Sequence, residues 1–199
     1  YFDRYVECLL SLEDYDSAEK VIKRQLRHEP DNVKLYVTYG KLYERRFQDE
    51  EAQKQYRKAI DNLPRDRFAG IKLANAFSSL TKYDLAIETY EKGTQLLKDD
   101  QIFAYYLADL YRRKGDSEKM IKYYLNSLEA NPSRLENLQT IFQRYLSEED
   151  FLELQKQLYT RIQENDNAAY YPELLAWVFI QRKDYKSAFR QVRALDRRL

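Results

Sequence analysis

Residues 33–66 decide the fold, and they read VKLYVTYGKLYERRFQDEEAQKQYRKAIDNLPRD. In each half the apolar residues recur at the three- and four-residue spacing of one helix face: Leu35, Tyr39, Leu42 and Tyr43 in the first, and Ala52, Tyr56, Ala59 and Ile60 in the second. The pattern predicts two antiparallel helices, from about Val33 to Arg46 and from about Glu50 to Asn62.

The same pattern recurs every 34 residues along the whole chain. A marker column contains Ala18, Ala52, Ala86, Met120, Leu154 and Ala188. Four residues later a larger apolar column contains Ile22, Tyr56, Tyr90, Tyr124, Leu158 and Val192, and a mostly small column contains Val6, Gly40, Ala74, Ala108, Phe142 and Ala176. A period of this length is typical of stacked helical hairpins that bury one continuous core, so we predict an all-α solenoid.

These columns resemble the tetratricopeptide repeat, most fully in the second unit with its Tyr36, Gly40, Ala52, Tyr56 and Pro64. The resemblance covers nearly all of the chain and implies one array of six units, at about 1–32, 33–66, 67–100, 101–134, 135–168 and 169–199. It further implies a right-handed superhelix, and it is closest to bacterial proteins of this kind. In the fifth unit Phe142 and Leu154 replace small residues, so we expect a local irregularity there.

Turn and cap residues mark the predicted helix ends. The hairpin turns are predicted at residues 13–15, 82–84, 114–116, 149–151 and 183–185, where an aspartate can cap the second helix. Gly115 can adopt the left-handed conformation that ends a helix. A corner column of Pro30, Pro64, Lys98, Pro132 and Asp166 follows the second helices. A proline disfavours helix at the residue before it, so Pro30, Pro64 and Pro132 should end those helices.

Composition narrows the classes of function. Lys and Arg total 34 against 33 for Asp and Glu, whereas a general nucleic-acid or membrane-surface binder needs a clear basic excess. No apolar run reaches the ~18 residues that a membrane span requires. The single cysteine, Cys8, cannot form an internal disulfide, and its column predicts a packing role. Both the cytoplasm and the bacterial periplasm fit.

The chain ends also suggest an expectation about its context. Tyr1 falls inside the first helix of a unit, and Leu199 comes before any closing helix. We therefore expect an excerpt of a longer protein.

No pattern indicates catalysis, a cofactor or a metal site. General acid–base chemistry usually needs a histidine or a paired carboxylate, and the only histidine, His28, is expected to be exposed at a corner between units. The run Glu148-Glu149-Asp150 is better explained as a helix start. We predict that the chain is not an enzyme.

A binding groove is expected on the first helices, because repeat arrays usually bind on the concave face and the resemblance assigns that face to these helices. The partner-binding residues are predicted to be Val37, Lys41, Phe68, Ile71, Asn75, Ile102, Tyr105, Asp109 and Arg112, with Asp3, Glu7, Leu10 and Lys34 also on this face. The centre is apolar and flanked by charge, as a peptide groove requires. Chaperone co-factors of this family clamp an acidic C-terminal tail with lysine, asparagine and arginine on the first helices of three successive units. Here the corresponding positions read Val37 with Lys41 and Ile71 with Asn75, so we reject that function.

The last helix carries an apolar set and a basic set. We expect Val192 to be covered by its partner helix near Phe179, while Phe189 and Leu195, with Leu199 further along, form an exposed patch. That patch could drive end-to-end contacts between copies. Lys186, Arg190, Arg193 and Arg197 are expected to form a solvated face.

The prediction is therefore a non-enzymatic scaffold that binds a protein or peptide in its groove. One alternative is a regulatory or targeting segment of a larger enzyme or of a cell-envelope or secretion machine. An RNA-binding helical repeat is a further alternative, but Glu7, Asp109 and other acidic residues on the groove face argue against it.

Overall fold

A computed structural model describes residues 1–165 and 167–196, and these residues form twelve α-helices. The helices are α1 Phe2–Ser11, α2 Tyr15–His28, α3 Lys34–Arg45, α4 Asp49–Asp61, α5 Arg67–Ser79, α6 Tyr83–Leu97, α7 Ala104–Lys114, α8 Ser117–Ala130, α9 Leu135–Tyr145, α10 Glu148–Glu164, α11 Tyr170–Gln181 and α12 Tyr185–Asp196. A short 3-10 helix, Pro132–Arg134, precedes α9. The predicted all-α class is confirmed, and the hairpin predicted from residues 33–66 agrees with α3 and α4 to within one residue at each end.

The helices divide into two compact units. Unit 1, Tyr1–Phe103, contains α1 to α6, and unit 2, Ala104–Leu199, contains α7 to α12. Helices α1–α2, α3–α4, α5–α6, α7–α8 and α11–α12 pack as hairpins. The marker column is buried throughout: Ala18, Ala52, Ala86 and Leu154 at 0% exposure, Met120 at 2% and Ala188 at 5%. The division of the chain into six 34-residue units within one array stays a prediction.

The hairpin turns share one backbone feature. A residue with positive φ recurs at the 34-residue period: Glu13, Phe47 and Lys183 at 59°, Thr81 at 58° and Gly115 at 74°. Each comes just before the second helix of its hairpin. The left-handed conformation predicted for Gly115 is confirmed, and four other side chains adopt it as well.

The fifth predicted repeat, at about residues 135–168, lacks this turn. The turn predicted at residues 149–151 is therefore wrong. These residues lie inside α10, which begins at Glu148 as predicted for the acidic run. Ser147 accepts a hydrogen bond from the Asp150 backbone N–H, and the Asp150 carboxylate accepts one from the Ser147 N–H at 2.9 Å. This capping box starts the helix early and removes the left-handed position at Glu149.

Aspartates cap three of the second helices. The side chains of Asp14, Asp116 and Asp184 accept hydrogen bonds from the backbone N–H three residues later, at 3.0 to 3.1 Å. Asp84 does not take this position, because α6 begins at Tyr83 with Lys82 at the cap. The cap predicted for that turn is therefore wrong.

The irregularity expected in the fifth predicted repeat, at about residues 135–168, is present. Phe142 and Leu154 are fully buried, but α9 and α10 contact each other little, unlike the other hairpin pairs. The helix α10 packs on α11 and α8 instead, and polar contacts add to this packing. Arg161 donates to Glu129 of α8 at 2.5 Å and to the Tyr171 hydroxyl of α11 at 3.1 Å. Phe142 and Leu154 are large residues at positions that are mostly small in the other repeats, and they separate α9 from α10. Arg161 links α10 to α8 and α11 through hydrogen bonds.

Two positions are more exposed than the sequence columns predict. Cys8 is exposed rather than packed, because no described helix precedes α1 to cover that side. Val192 is 51% exposed, so its predicted burial near Phe179 is wrong. Phe189 is exposed as expected, at 67%, and Leu195 is half-buried. Lys186, Arg190 and Arg193 are exposed, whereas the predictions for Asp166, Arg197 and Leu199 fall outside the described residues.

A polar cluster centred on Glu19 joins α2 to α3. The Glu19 carboxylate accepts hydrogen bonds from the Tyr39 hydroxyl at 2.7 Å and from Arg46 Nη1 at 2.8 Å. Lys23 Nζ lies 2.7 Å from Glu19 Oε1, one helical turn along α2. The contact with Lys23, followed by that with Tyr39, lowers the pKa of Glu19 from 4.5 to about 2. The folded state therefore favours the ionised carboxylate.

We expect this cluster to make stability depend on pH. Because the folded pKa is the lower one, the contribution is fully present above about pH 5 and is lost as the pH falls towards 2. Glu19→Gln should lower the free energy of unfolding by about 1–3 kcal/mol at pH 7 and change it little at pH 2, in urea titrations at both values. Glu51→Gln, in an exposed pair with Lys54, is the control and should have little effect. An equal loss from Glu19→Gln at both pH values would contradict the assignment.

Candidate partner-binding site

The first helices of unit 1 enclose a cavity of about 200 Å³, which we call the front cavity. Its floor is apolar and comes from Val6 and Leu10 of α1 and Val37 of α3, each no more than 4% exposed. Its remaining wall comes from α5 and the residue after it, through Ala76, Ser79 and Leu80. Three successive first helices therefore contribute to one apolar recess.

Two ion pairs lie at the rim of the front cavity. Lys34 Nζ is 2.7 Å from Asp3 Oδ2, and Lys41 Nζ is 2.6 Å from Glu7 Oε2. Both pairs join α3 to α1 and are partly exposed, so each contributes little to stability. Their charged groups are therefore available to exchange partners with a bound segment.

The predicted groove residues of unit 1 divide between the cavity and the surface beside it. Val37 and Lys41 line the front cavity, although Val37 is buried to 4% and forms its floor rather than a projecting anchor. Four others do not line it: Phe68 is 67% exposed, Asn75 is exposed, and Ile71 and Ile102 are half-buried.

The sequence did not predict the part of the wall that belongs to α5. Ala76 is a smaller residue in the column of Leu42, and Leu80 follows it by one helical turn. That substitution of a small residue for a large one is the signal that could have indicated a recess at this point.

The remaining predicted residues lie on α7 in unit 2 and form a separate polar group. Asp109 accepts hydrogen bonds from Arg112 Nη2 at 2.5 Å and from Arg113 Nε at 2.8 Å. Burial raises the pKa of the Asp109 carboxyl, but hydrogen bonds from the two arginines outweigh it, and the net pKa is below the ordinary value. The carboxylate therefore stays ionised and holds both guanidinium groups.

Aromatic rings surround this polar group. The Arg112 guanidinium lies 4.5 Å from the centre of the Tyr145 ring, and that of Arg134 lies 4.7 Å from the Tyr105 ring. The Tyr105 hydroxyl donates to Asn137 Oδ1 at 3.3 Å, and its ring meets Tyr124 edge-on at 5.5 Å. Tyr105, Asp109 and Arg112 are thus brought together on α7, each half-buried against its neighbours.

Neither the front cavity nor the polar group around Asp109 contains a histidine. The only histidine, His28, is exposed at the end of α2. Across residues 1–165 and 167–196, no group of three or more His, Cys, Asp or Glu side chains is placed to hold a metal ion. Among the same residues, no helix is both long enough and apolar enough to cross a membrane.

Helical hairpins repeated every 34 residues, with an apolar recess on their first helices, define a helical-repeat scaffold. A model of the tetratricopeptide repeat matches residues 33–62, 71–99 and 104–134. The chain belongs to the tetratricopeptide-repeat family. Proteins of this family are typically non-catalytic and generally mediate protein–protein interactions.

Solved structures of the same family resemble the chain at low sequence identity. A tetratricopeptide-repeat protein from Parabacteroides merdae is 16% identical over 98% of this chain and 77% of its own, with a TM-score of 0.41. The pilF protein of Pseudomonas aeruginosa is 15% identical over 98% and 90%, with a TM-score of 0.40. YrrB, a protein with an unusual peptide-binding site, is 14% identical over 96% and 90%, with a TM-score of 0.38. A comparison with curated proteins found no match.

Proposed function

We propose that the chain is a scaffold that binds a segment of a partner protein in the front cavity. The observation that supports this is the combination of an apolar floor and two ion pairs on α1 and α3 with a wall from α5. Interfaces of this kind place a few apolar anchors at the centre and polar groups around them.

The size of the front cavity favours an anchoring side chain over a small-molecule ligand. At about 200 Å³ it is smaller than the roughly 300–1,000 Å³ of clefts that enclose drug-sized ligands. A partner would insert one large apolar side chain between Val6, Leu10 and Val37. Charged residues on either side of that anchor would replace one member of each rim ion pair, Asp3–Lys34 and Glu7–Lys41.

The other predicted groove residues are proposed as further partner contacts on each unit. Among the predicted groove residues of unit 1, Phe68 has the most exposed apolar side chain, Ile71 and Ile102 are half-buried, and Asn75 is polar and exposed. In unit 2, the Asp109 and Arg112 pair, together with Tyr105, offers hydrogen bonds and an aromatic face. The contacts of unit 1 would add to the anchor without replacing it, and those of unit 2 are proposed as a separate contact.

A blocking substitution tests the proposal. Ser79 is exposed at the cavity wall, so Ser79→Trp should fill the recess without disturbing the core. Peptides selected from a random displayed library on the unmodified chain should contain one large apolar residue flanked by charges. They should bind Ser79→Trp at least about tenfold more weakly.

Lys54→Trp is the matched control, because Lys54 is exposed on α4 and does not line the cavity. It should bind the selected peptides as the unmodified chain does. Equal binding by Ser79→Trp, or an equal loss in both variants, would overturn the assignment of the front cavity.

A further inference from the structure

Phe47 is a large aromatic side chain that projects into solvent from the turn between α3 and α4. It is 93% exposed. The hairpin α1–α2 precedes this turn in unit 1 and the hairpin α5–α6 follows it, so the exposure of Phe47 does not come from a chain end. Aromatic side chains are the residues that most often anchor one protein on another.

The backbone at Phe47 is also unfavourable for this residue. Its φ is 59°, in the left-handed region where a bulky side chain is uncommon. The same turn position in the other hairpins that have this turn is occupied by glycine or by a polar residue: Glu13, Thr81, Gly115 and Lys183. Glycine at position 47 would relieve the strain and remove an exposed ring. Stability therefore does not explain a phenylalanine here.

The turn holds Phe47 in a fixed position. The backbone N–H of Phe47 donates to the Glu44 carbonyl at 2.9 Å, and that of Gln48 donates to the Tyr43 carbonyl at 2.9 Å. These hydrogen bonds close the end of α3, so the ring projects from an ordered backbone. An anchor that is already ordered loses less entropy when it binds.

The residues around Phe47 are charged, with opposite signs on its two sides. Arg45 comes two residues before it, and Asp49 and Glu50 come two and three residues after it; all three are exposed. The front cavity has an apolar floor and rim groups of both signs. The partner segment that this cavity requires is one large apolar residue flanked by charges, and residues 45–50 of the chain itself have that pattern.

The front cavity also has the size that a phenylalanine ring needs. An apolar cavity of about 150 Å³ is enough to bind benzene. The front cavity measures about 200 Å³, so it can hold the ring of Phe47 and its Cβ. Phe47 does not line the front cavity of its own chain. The ring that fills the cavity must then come from another molecule.

We propose that Phe47 of one copy of this chain inserts into the front cavity of a second copy. This inference rests on the proposed function, because it names an occupant of the same cavity. Arg45 then lies near the acidic rim groups of the second copy, and Asp49 and Glu50 lie near its rim lysines. Each copy contributes a different surface, so association continues beyond a dimer unless the copies close into a ring.

Mixing two variants tests this contact by sedimentation velocity. The unmodified chain should form dimers and larger species as its concentration rises. Phe47→Gly removes the anchor and Ser79→Trp fills the cavity, so each variant alone should associate at least about tenfold more weakly. An equimolar mixture of the two should form dimers and nothing larger, because one intact Phe47 then meets one intact cavity. A monomeric unmodified chain at high concentration, or a mixture that stays monomeric, would overturn the proposal.

Glu13→Gly is the matched control for Phe47→Gly. Glu13 has the same φ of 59°, is exposed in unit 1 and does not line the front cavity. Both glycine variants should unfold at higher urea concentrations than the unmodified chain, because glycine relieves the left-handed strain. Only Phe47→Gly should lose association. Unchanged association of Phe47→Gly, or an equal loss in both variants, would contradict the role of the ring.

Peptide binding separates this contact from the proposed function. Phe47→Gly keeps an open front cavity, so it should bind the peptides selected from the displayed library as the unmodified chain does. If the unmodified chain binds those peptides but stays monomeric, the contact between copies is wrong and the proposed function stands. If the peptides bind Ser79→Trp as well as they bind the unmodified chain, the proposed function fails and this contact fails with it.

Discussion

Phe103→Ala should lower the free energy of unfolding by about 3–5 kcal/mol. Phe103 is fully buried in unit 1, and its ring fills the space beside two glycines. A Cβ placed on Gly70 would lie 3.0 Å from the ring, and one on Gly93 would lie 2.7 Å from it. The Tyr90 ring packs on its other side, with 4.9 Å between the ring centres. Alanine would leave a cavity that the two glycines cannot fill, because they have no side chains to move into it.

The loss should be measured by urea unfolding followed by far-ultraviolet circular dichroism. Phe47→Ala is the matched control, because Phe47 is 93% exposed and its truncation should change stability by no more than about 0.5 kcal/mol. A similar loss for both variants, or a loss below about 1 kcal/mol for Phe103→Ala, would contradict this packing.

Gly40→Ala should destabilise unit 1 although alanine is the better helix former. A Cβ at this position would lie 2.2 Å from Cε1 of Tyr56, whose ring is fully buried and packed against Phe77. Alanine gains about 1 kcal/mol of helix propensity over glycine. Overpacking costs about 1–3 kcal/mol and occasionally more, and so close an approach to a confined ring calls for the upper end. We therefore expect a net loss of about 2 kcal/mol.

A double-mutant cycle with Tyr56→Leu tests the cause of that loss. Leucine removes the ring atoms that the new methyl group would meet. Gly40→Ala should therefore cost much less in the Tyr56→Leu background than in the unmodified chain, with a coupling of about 1–3 kcal/mol. Additive losses in urea unfolding would show that the methyl group and the ring do not meet.

The pairing of α4 with α3 illustrates how much local pattern predicts. Helix periodicity located both helices to within one residue, because a helix in a repeat protein needs only its own apolar stripe and its immediate neighbours. Column position likewise predicted the burial of Ala18, Ala52 and Ala86.

The candidate site was predictable only in part. Periodicity placed Val37 and Lys41 on the groove side of α3, and both line the front cavity. It could not show that Val37 is 4% exposed or that Ala76, Ser79 and Leu80 complete the wall. The depth of the front cavity depends on how α1, α3 and α5 are offset from one another. This offset cannot be read from the sequence of any one of the three helices.

The sequence alone therefore determined the elements that depend on local spacing: the helices, the 34-residue period and the buried marker column. The tertiary structure decided everything that depends on a neighbour. Cys8 and Val192 occupy columns that are largely buried in the other hairpins, but they are exposed because no described helix covers them. In the fifth hairpin, the turn that the period predicted is replaced by the capping box of Ser147 and Asp150, which is a local signal that the column pattern does not include. A column assigns a side chain to a helix face, and burial follows only where a second helix packs on that face.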